Sequence, residues 1–556
     1  MLNDGHGEKG DRGVVLALFL LLLVRACAYG VIYWPQLDDY IQYHNYLKNG
    51  TFAELQELVG ILGARPLAGI ADYFFWGRMF PWMIVGVAVV SLLYAMTGVM
   101  LKKQLGRYFT IGPVFLVIFT LFPLGVEGTY WMSASTRIVC GLFFAVLASG
   151  AFLRWMDTGR PGWALLFVLL QLLPLGFYEQ AGIFSVTLVI GLAILEVIAY
   201  RGQLLKALLS LWAVPAMGIY FGVTHLLSAG TLYSSRTEII PPNTPYWWDT
   251  FLPEVLHQFK AVFLEGLFHT LFKGFIRTVR EIFSGELLLW MLIVVGACVL
   301  FWYLYTKMAC GLPQPEIRAL SPWLALLAGA LLFLAPLTVF LVLANPWFSM
   351  RGAVTSFGGL ALIYDILVTQ GWKYLPGFKK GPAVLAAFMA FVFCIAGASE
   401  IRDYRDTWRA DQQIGAAVTQ SLRDEVPNRG DIDSKERIGV LNILPSYLDD
   451  QNYFYHEHIH GCTQSPWAFQ GLLTYLDGDK QWNVTPLPTT PIYYHWNQES
   501  NRPETFDRLY FYNGISVEPV ELEQTGEYDF LVRNRADRPI GRIWEEDDMG
   551  YFQTME

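Results

Sequence analysis

Residues 14–40 read VVLALFLLLLVRACAYGVIYWPQLDDY: an apolar run to Trp34, closed four residues later by the acidic pair Asp38-Asp39. The 21 residues from Val14 to Trp34 carry one charge, Arg25. That is the length an α-helix needs to cross a hydrocarbon layer about 30 Å thick. Ten further apolar windows follow, at about 79–101, 109–126, 130–153, 163–177, 180–199, 207–228, 286–306, 320–344, 353–370 and 383–399. With 54% hydrophobic and 15% aromatic residues among 556, the sequence predicts a polytopic α-helical membrane protein of about eleven spans. Soluble globular classes are excluded by the number and length of these runs.

Orientation follows from the short loops that carry Lys and Arg. Lys9 and Arg12 precede the first window, and Lys102, Lys103 and Arg107 follow the second. Then come Arg154 and Arg160, Arg201 and Lys206, Lys307 and Arg318, and Lys373, Lys379 and Lys380. Every second loop is basic. The rule places these loops and the N-terminus in the cytoplasm, and everything after residue 399 outside the cell, at a plasma or inner membrane.

Two features qualify the first window. Arg25 sits near its middle, where a charge costs about 2.5–3.5 kcal/mol on insertion scales, so it must snorkel or face a polar interior. The run Val14–Val24 followed by Ala26-Cys27-Ala28 also has the form of a signal peptide with a small-residue cleavage site. Apolar sequence continuing through Trp34 favours a retained helix, and either reading leaves Asp38 outside.

Composition changes at residue 400. From 401 onward there are 27 Asp and Glu against 14 Lys and Arg, a net of −13 within a total of −9. This acidic stretch of about 155 residues is long enough for its own core. It is expected to be a separate extracytoplasmic domain, 400–556, beside a membrane domain, 1–399. A polar helix over Arg402–Leu422 should open it. Strand-like runs at Ile438–Leu444, Ile515–Leu522 and Tyr528–Val532, parted by Pro, Gly and Asn, predict a mixed α/β or β-rich module.

The six cysteines imply no disulfide framework: Cys27, Cys140, Cys298 and Cys394 lie in apolar windows, Cys310 in a basic loop, and Cys462 in the acidic domain. Asn49-Gly-Thr51 and Asn483-Val-Thr485 have the form of glycosylation triplets. No Gly-rich nucleotide loop, internal repeat or low-complexity tract is evident, and nothing in the charge pattern suggests nucleic acid.

The polar residues near window ends gather on one side. They are Asp38 and Asp39 after the first window, Arg65 and Arg78 before the second, Glu127 after the third, and Arg137 one to two turns into the fourth. Glu179 lies between the fifth and sixth, and Arg351 between the ninth and tenth. A transporter would place such groups near the bilayer midplane, often on interrupted helices of repeated halves. An outward layer instead suits chemistry on a lipid-borne substrate. A carboxylate at the surface, Asp38 or Asp39, can serve as general base while an acceptor hydroxyl attacks a sugar carbon. Guanidinium groups, Arg65 and Arg351 with Arg137 in reserve, can stabilise a leaving lipid phosphate. The plainer readings are that an Asp pair after a helix is solvated, and that arginines at helix ends snorkel. Glu127 and Glu179 resist that reading because each interrupts a very short connection between apolar runs. Each is expected to face a polar cavity or to pair with an arginine.

The succession of a first span, Leu37-Asp38-Asp39-Tyr40 and an amphipathic segment ending in Ala64-Arg65-Pro66-Leu67 resembles the first outer loop of GT-C superfamily glycosyltransferases. These enzymes use polyprenyl-phosphate sugars, and the layout over residues 14–399 is most similar to the O-antigen glucosyltransferase-like membrane proteins. The resemblance implies inverting transfer of a sugar to an extracytoplasmic glycan, lipid or protein, with Asp38 or Asp39 as base. It also implies that Arg65 is the loop's basic residue. Arg351, in Asn345-Pro-Trp-Phe-Ser-Met-Arg351, matches by position a late-loop arginine that binds phosphate in related enzymes. Superfamily members differ in their use of a divalent metal, and no other cofactor is implied. The acidic domain has no counterpart in this pattern.

Two further segments carry chemistry. In the long loop 229–285, Thr250–Ser284 mixes Phe and Leu with His257, Lys260, His269, Lys273, Arg277 and Arg280, predicting an amphipathic helix at the membrane interface. Such a helix could gate a lipid-linked donor or simply cover the bundle. Tyr246-Trp247-Trp248 before it reads as an interface anchor or a sugar-stacking platform. In Tyr455-His456-Glu457-His458-Ile459-His460-Gly461-Cys462 the alternating histidines would share one face of a strand. Imidazole and thiolate suit zinc, so His456, His458 and His460 are weak metal candidates. A solvated loop is the default reading. Two other function classes remain beside glycosyl transfer: a polymerase or ligase of lipid-linked glycans, and a sugar or lipid transporter or flippase.

Overall fold

The structure is a computed structural model that describes residues 4–48, 65–200, 203–228, 239–308, 320–344, 347–374, 380–425, 436–443, 456, 459–478, 482–487, 502–546 and 549–555. The chain forms two compact units: Met1–Tyr33 with Thr51–Arg402, and Trp34–Gly50 with Asp403–Glu556. The segment 34–50, which contains the acidic pair, therefore groups with the C-terminal domain and not with the membrane part.

The first unit is helical because its apolar runs leave the backbone no water to bind, and an α-helix satisfies every N–H and C=O within itself. Among the described residues, eight helices are long and apolar enough to cross a membrane. They are Met83–Leu105, Met132–Thr158, Glu179–Ala199, Leu204–Leu226, Leu288–Lys307, Pro322–Leu341, Met350–Trp372 and the start of Gly381–Glu425. Two more of the expected windows fall on shorter apolar stretches, Val114–Tyr130 and Pro161–Phe177. The first window falls on the helix Asp4–Ala26, which stops at Ala26 so that residues 27–34 lie beyond it. Proline sets several boundaries, standing at the start of Pro161–Leu170 and Pro322–Leu334 and at the break before Pro123. Met132–Thr158 is the central helix, with 72% of its apolar window buried. Leu204–Leu226 and Leu288–Lys307, at 28%, leave most of their apolar surface on the outside of the bundle, as lipid contact requires.

Helices meet most closely where side chains vanish. A Cβ built on Gly359 would stand 2.2 Å from the Phe333 nitrogen and 2.3 Å from the Gly329 carbonyl oxygen, so the helices Phe357–Trp372 and Pro322–Leu334 touch backbone to backbone.

The second unit contains the helices Asp38–Lys48 and Pro466–Asp477, the polar end of Gly381–Glu425, and one seven-stranded sheet. The expected polar helix is not a separate element. It continues the last apolar window as one 45-residue helix, about 68 Å long at 1.5 Å per residue, more than twice the hydrocarbon thickness. The strands are β1 Ile438–Leu441, β2 Val484–Leu487, β3 Arg508–Tyr512, β4 Val517–Gly526, β5 Asp529–Asn534, β6 Pro539–Glu546 and β7 Met549–Thr554, in spatial order β2-β1-β3-β4-β5-β6-β7. β1 is parallel to both β2 and β3, with Pro466–Asp477 in the β1–β2 crossover, and the rest is an antiparallel meander. The core of the sheet is Leu441, Leu509, Phe511, Val532, Ile543, Phe552 and their neighbours. The helix Asp38–Lys48 lies against Pro466–Asp477 at Gly471, where a Cβ would meet the Tyr40 carbonyl oxygen at 2.2 Å.

The glycine contact gives a direct test of the bundle. Gly359→Leu should lower the unfolding temperature of the detergent-solubilised protein strongly, since the new side chain has backbone in its way. Gly296→Leu, on the helix Leu288–Met308 with nothing within 4 Å, should leave it nearly unchanged in a thermal-shift comparison.

Candidate functional site

In the first unit the residues of interest cluster where helices are broken. The chain turns extended at Phe122, passes through Pro123–Gly125, makes the short helix Val126–Tyr130, and turns extended again at Trp131 before Met132–Thr158 begins. A second break lies at Tyr178, before Glu179–Ala199. A third separates the helical turn Ala335–Leu341 from the helix Met350–Ala353. Each break frees backbone groups, and side chains from other segments take them up. The Met132 N–H donates to the Tyr33 hydroxyl at 2.8 Å, and the Phe348 N–H to Gln258 Oε1 at 2.9 Å. The Arg351 N–H donates to Glu127 Oε1 at 3.1 Å, and Gln180 Nε2 donates to the carbonyls of Gly352 and Pro336 at 3.3 and 3.5 Å.

The residues singled out from sequence fall into distinct groups. Arg65 donates from Nε to both oxygens of Glu179 at 3.0 Å, with Nη2 2.9 Å from Oε2, and its guanidinium lies 4.6 Å from the Tyr178 ring centre. The expectation that Glu179 pairs with an arginine describes this bidentate contact. Arg137 Nη2 is 2.8 Å from Oδ2 of Asp72, which is fully buried in the helix Pro66–Met79. Glu127, also fully buried, supports the backbone of Arg351. The Arg351 guanidinium lies over the Trp131 ring at 5.2 Å. Three buried polar atoms at these helix breaks have no hydrogen-bond partner among the described residues: Trp131 Nε1, Ser349 Oγ and Gln180 Oε1. Two are donors and one, its amide nitrogen already donating, is an acceptor. A buried polar atom left so costs about 1–3 kcal/mol, which a polar ligand in contact with it would recover.

Arg25 has a structural place. Its guanidinium donates to the Leu121 carbonyl at 3.0 Å and to Thr129 Oγ1 at 3.2 Å, closing the C-terminal end of the helix Val114–Leu121. Buried carboxylates that escaped the sequence reading include three in the first unit. Asp72 pairs with Arg137, Asp365 accepts from the N–H groups of Gly112 and Phe115 at 2.6 and 3.0 Å, and Glu196 accepts from the Tyr108 hydroxyl at 2.6 Å beside Arg107. Their common signal was a lone acid in an otherwise apolar stretch.

In the second unit Asp38 and Asp39 open the helix Asp38–Lys48 and differ in burial. Asp39 is fully buried and its Oδ2 accepts from the Gln36 N–H at 2.9 Å, while Asp38 is partly exposed. Leu37 before them has φ +31, a left-handed conformation costly for a leucine. Next to them, Tyr40 accepts from Gln412 Nε2 at 2.9 Å. The segment 459–464 is a turn and a short 3-10 helix rather than the strand whose face would align the histidines. His456 and His460 are buried, and Cys462 donates its N–H to both oxygens of Asp411 at 3.0 Å. Burial, and then the charge of Asp411, push the Cys462 thiol up and away from the thiolate a metal would need. No group of three or more His, Cys, Asp or Glu side chains placed to hold a metal occurs among the described residues. His458, Asn49–Thr51, residues 229–238 and the side chain of Arg78 lie outside them.

No protein-family model matches the chain, and no curated protein matches it either.

The Arg137–Asp72 pair makes a prediction about stability. Arg137→Gln should destabilise the protein by about 3–5 kcal/mol by stranding the Asp72 charge. The double change Arg137→Met with Asp72→Leu should recover most of that loss, measured as thermal unfolding in detergent.

Proposed function

We propose that this chain is an integral membrane glycosyltransferase that moves a sugar from a polyprenyl-phosphate donor to an extracytoplasmic glycan, lipid or protein acceptor. The observation that carries the reading is the Arg351 guanidinium over the Trp131 ring, at helix breaks that also hold the buried donors Trp131 Nε1 and Ser349 Oγ and the acceptor Gln180 Oε1, none with a partner among the described residues. Donors beside a cation suit phosphate oxygens, and an acceptor suits a sugar hydroxyl. In this reading Arg351 takes the phosphate, as its place in a late loop implies by the resemblance, while Arg65 and Arg137 pair with Glu179 and Asp72. Trp131 fixes the plane of its guanidinium, and Glu127 fixes its backbone.

The base comes from the acidic pair Asp38-Asp39 in this reading, Asp38 being its more exposed member. A carboxylate takes the proton of the acceptor hydroxyl as that oxygen bonds to the anomeric carbon. The bond to the phosphate oxygen breaks with its electron pair, polyprenyl phosphate leaves, and the configuration inverts. Asp39, occupied with the Gln36 N–H, positions Asp38. The reading takes the GT-C arrangement of eleven crossings, counting Asp4–Ala26, Val114–Tyr130 and Pro161–Phe177 with the eight long helices. The N-terminus is cytoplasmic and the second unit outside, as the alternation of basic loops requires.

A second reading, transport of a sugar or lipid, has one observation in its favour: interrupted helices with polar groups at the breaks, a construction that transporters use at substrate sites. One assay separates the two. Protein purified into lipid should transfer label from one member of a panel of polyprenyl-phosphate sugars to a native acceptor extract. Asp38→Asn should slow transfer by about 10²–10⁴-fold with donor still bound. Arg351→Gln should weaken donor binding, and Asp39→Asn should reduce transfer together with thermal stability. Absence of transfer with every donor, or full activity of Asp38→Asn, overturns the proposal. Uptake of labelled substrate by sealed proteoliposomes without chemical change would then establish transport.

A further inference from the structure

The segment 256–281 carries a four-residue repeat. One row, Gln258, Val262, Gly266, Thr270, Gly274 and Thr278, is buried throughout. A second, Leu256, Lys260, Leu264, Phe268, Phe272, Ile276 and Arg280, is exposed throughout, with its apolar members 51–63% accessible. Between them run an apolar row from Phe259 to Val279 and a polar row, Glu265, His269, Lys273, Arg277 and Glu281. In an α-helix a four-residue step overshoots the 3.6-residue turn by about 40°, so these rows would spiral around it. The chain avoids this by alternating α-helix with wider π-helix: Trp247–Phe251, Ala261–Gly266 and Phe268–Lys273 are π, whereas Leu252–Lys260 and Gly274–Phe283 are α. The rows thus stay on their own sides for the length of the helix. The small buried row lets it lie close on the bundle, Gly266 at Leu124 and Gly274 at the Ala396 carbonyl.

What remains outward is an apolar strip bordered by cations. From Gly266 to Arg280 there are three, Lys273, Arg277 and Arg280, and no acid. At one end Glu281 is engaged by the Tyr29 hydroxyl and Arg402, and at the other Glu265 lies 3.6 Å from Lys260. His269 has its protonation lowered by burial and by neighbouring Lys273, whose Nζ is 3.3 Å away, against the opposing charges of Glu400 and Glu265. An apolar strip with basic residues along its edge matches the boundary between acyl chains and phosphate headgroups, where each Lys or Arg gains about 1 kcal/mol from anionic lipid.

We infer that the helix 247–283 is a binding surface for anionic phospholipid: Leu264, Phe268, Phe272 and Ile276 enter the acyl region, and Lys273, Arg277 and Arg280 take headgroup phosphates. This does not depend on the glycosyltransferase proposal. The test is thermal unfolding of the full-length protein in detergent titrated with phosphatidylglycerol, phosphatidylcholine or a polyprenyl monophosphate. Phosphatidylglycerol should stabilise at concentrations at least tenfold below phosphatidylcholine. Lys273→Gln with Arg277→Gln should remove most of that difference, while Lys307→Gln, outside the helix, should preserve it. Because the double variant could fold poorly, Arg280→Gln at the exposed row should also reduce the difference, by a smaller factor. Equal stabilisation by the two phospholipids, or an undiminished difference in both helix variants, overturns the inference. Stabilisation by the polyprenyl phosphate alone also overturns it, and assigns the cations to a donor lipid instead.

Discussion

A backbone N–H or C=O in hydrocarbon has no water to bind, and wherever a helix breaks there, some other group must take up what the break releases. The first unit breaks its helices repeatedly, and its polar side chains are disposed accordingly. Arg25 closes one helix end, while Tyr33, Gln258 and Glu127 receive three N–H groups at two helix starts. Asp365 accepts two more at the start of the helix Val114–Leu121, and Gln180 answers two carbonyls. Most of these polar residues stand where helices end.

Sorting the groups this way changes which of them can act on a ligand. A charge already neutralised by a bidentate or buried partner cannot be drawn to a phosphate without stranding that partner, at a cost of several kcal/mol. Arg65 and Arg137 are bound in that sense, to Glu179 and Asp72. Ser349 Oγ and Trp131 Nε1, at the helix breaks that also carry Arg351, are donors that no described group accepts.

The membrane class and most of the helices were legible because a span announces itself by length and hydropathy alone. The windows 109–126 and 163–177 fall on shorter helices than expected, since Pro123 and Pro174 break helices within or beside an apolar run without making it less apolar. The division of the chain was legible only in part: composition marks residue 400, but nothing in the composition of 34–50 tells that it folds with the C-terminal domain. Pairing partners stayed hidden for the same reason. Asp72 and Arg137 are 65 positions apart, and only packing reveals that they meet. The alternating histidines near Cys462 would share a face only on a strand, and the described residues 459–464 turn instead. The four-residue repeat was written in the sequence throughout, but it fits neither the 3.6 nor the 2 period by which helices and strands are recognised.

The acidic pair shows how the fold settles what adjacency leaves open. Consecutive residues on a helix point about 100° apart, so Asp38 and Asp39 cannot share one environment. Leu37, held at φ +31, sets the direction in which the helix begins, and Gln36 then presents its N–H to the second carboxylate. Once Asp39 is turned inward to meet it, Asp38 is carried toward the surface by geometry alone. The strain at Leu37 and the buried bond at Asp39 therefore act together: the second anchors the first turn of the helix, and the first fixes which acid is left partly exposed.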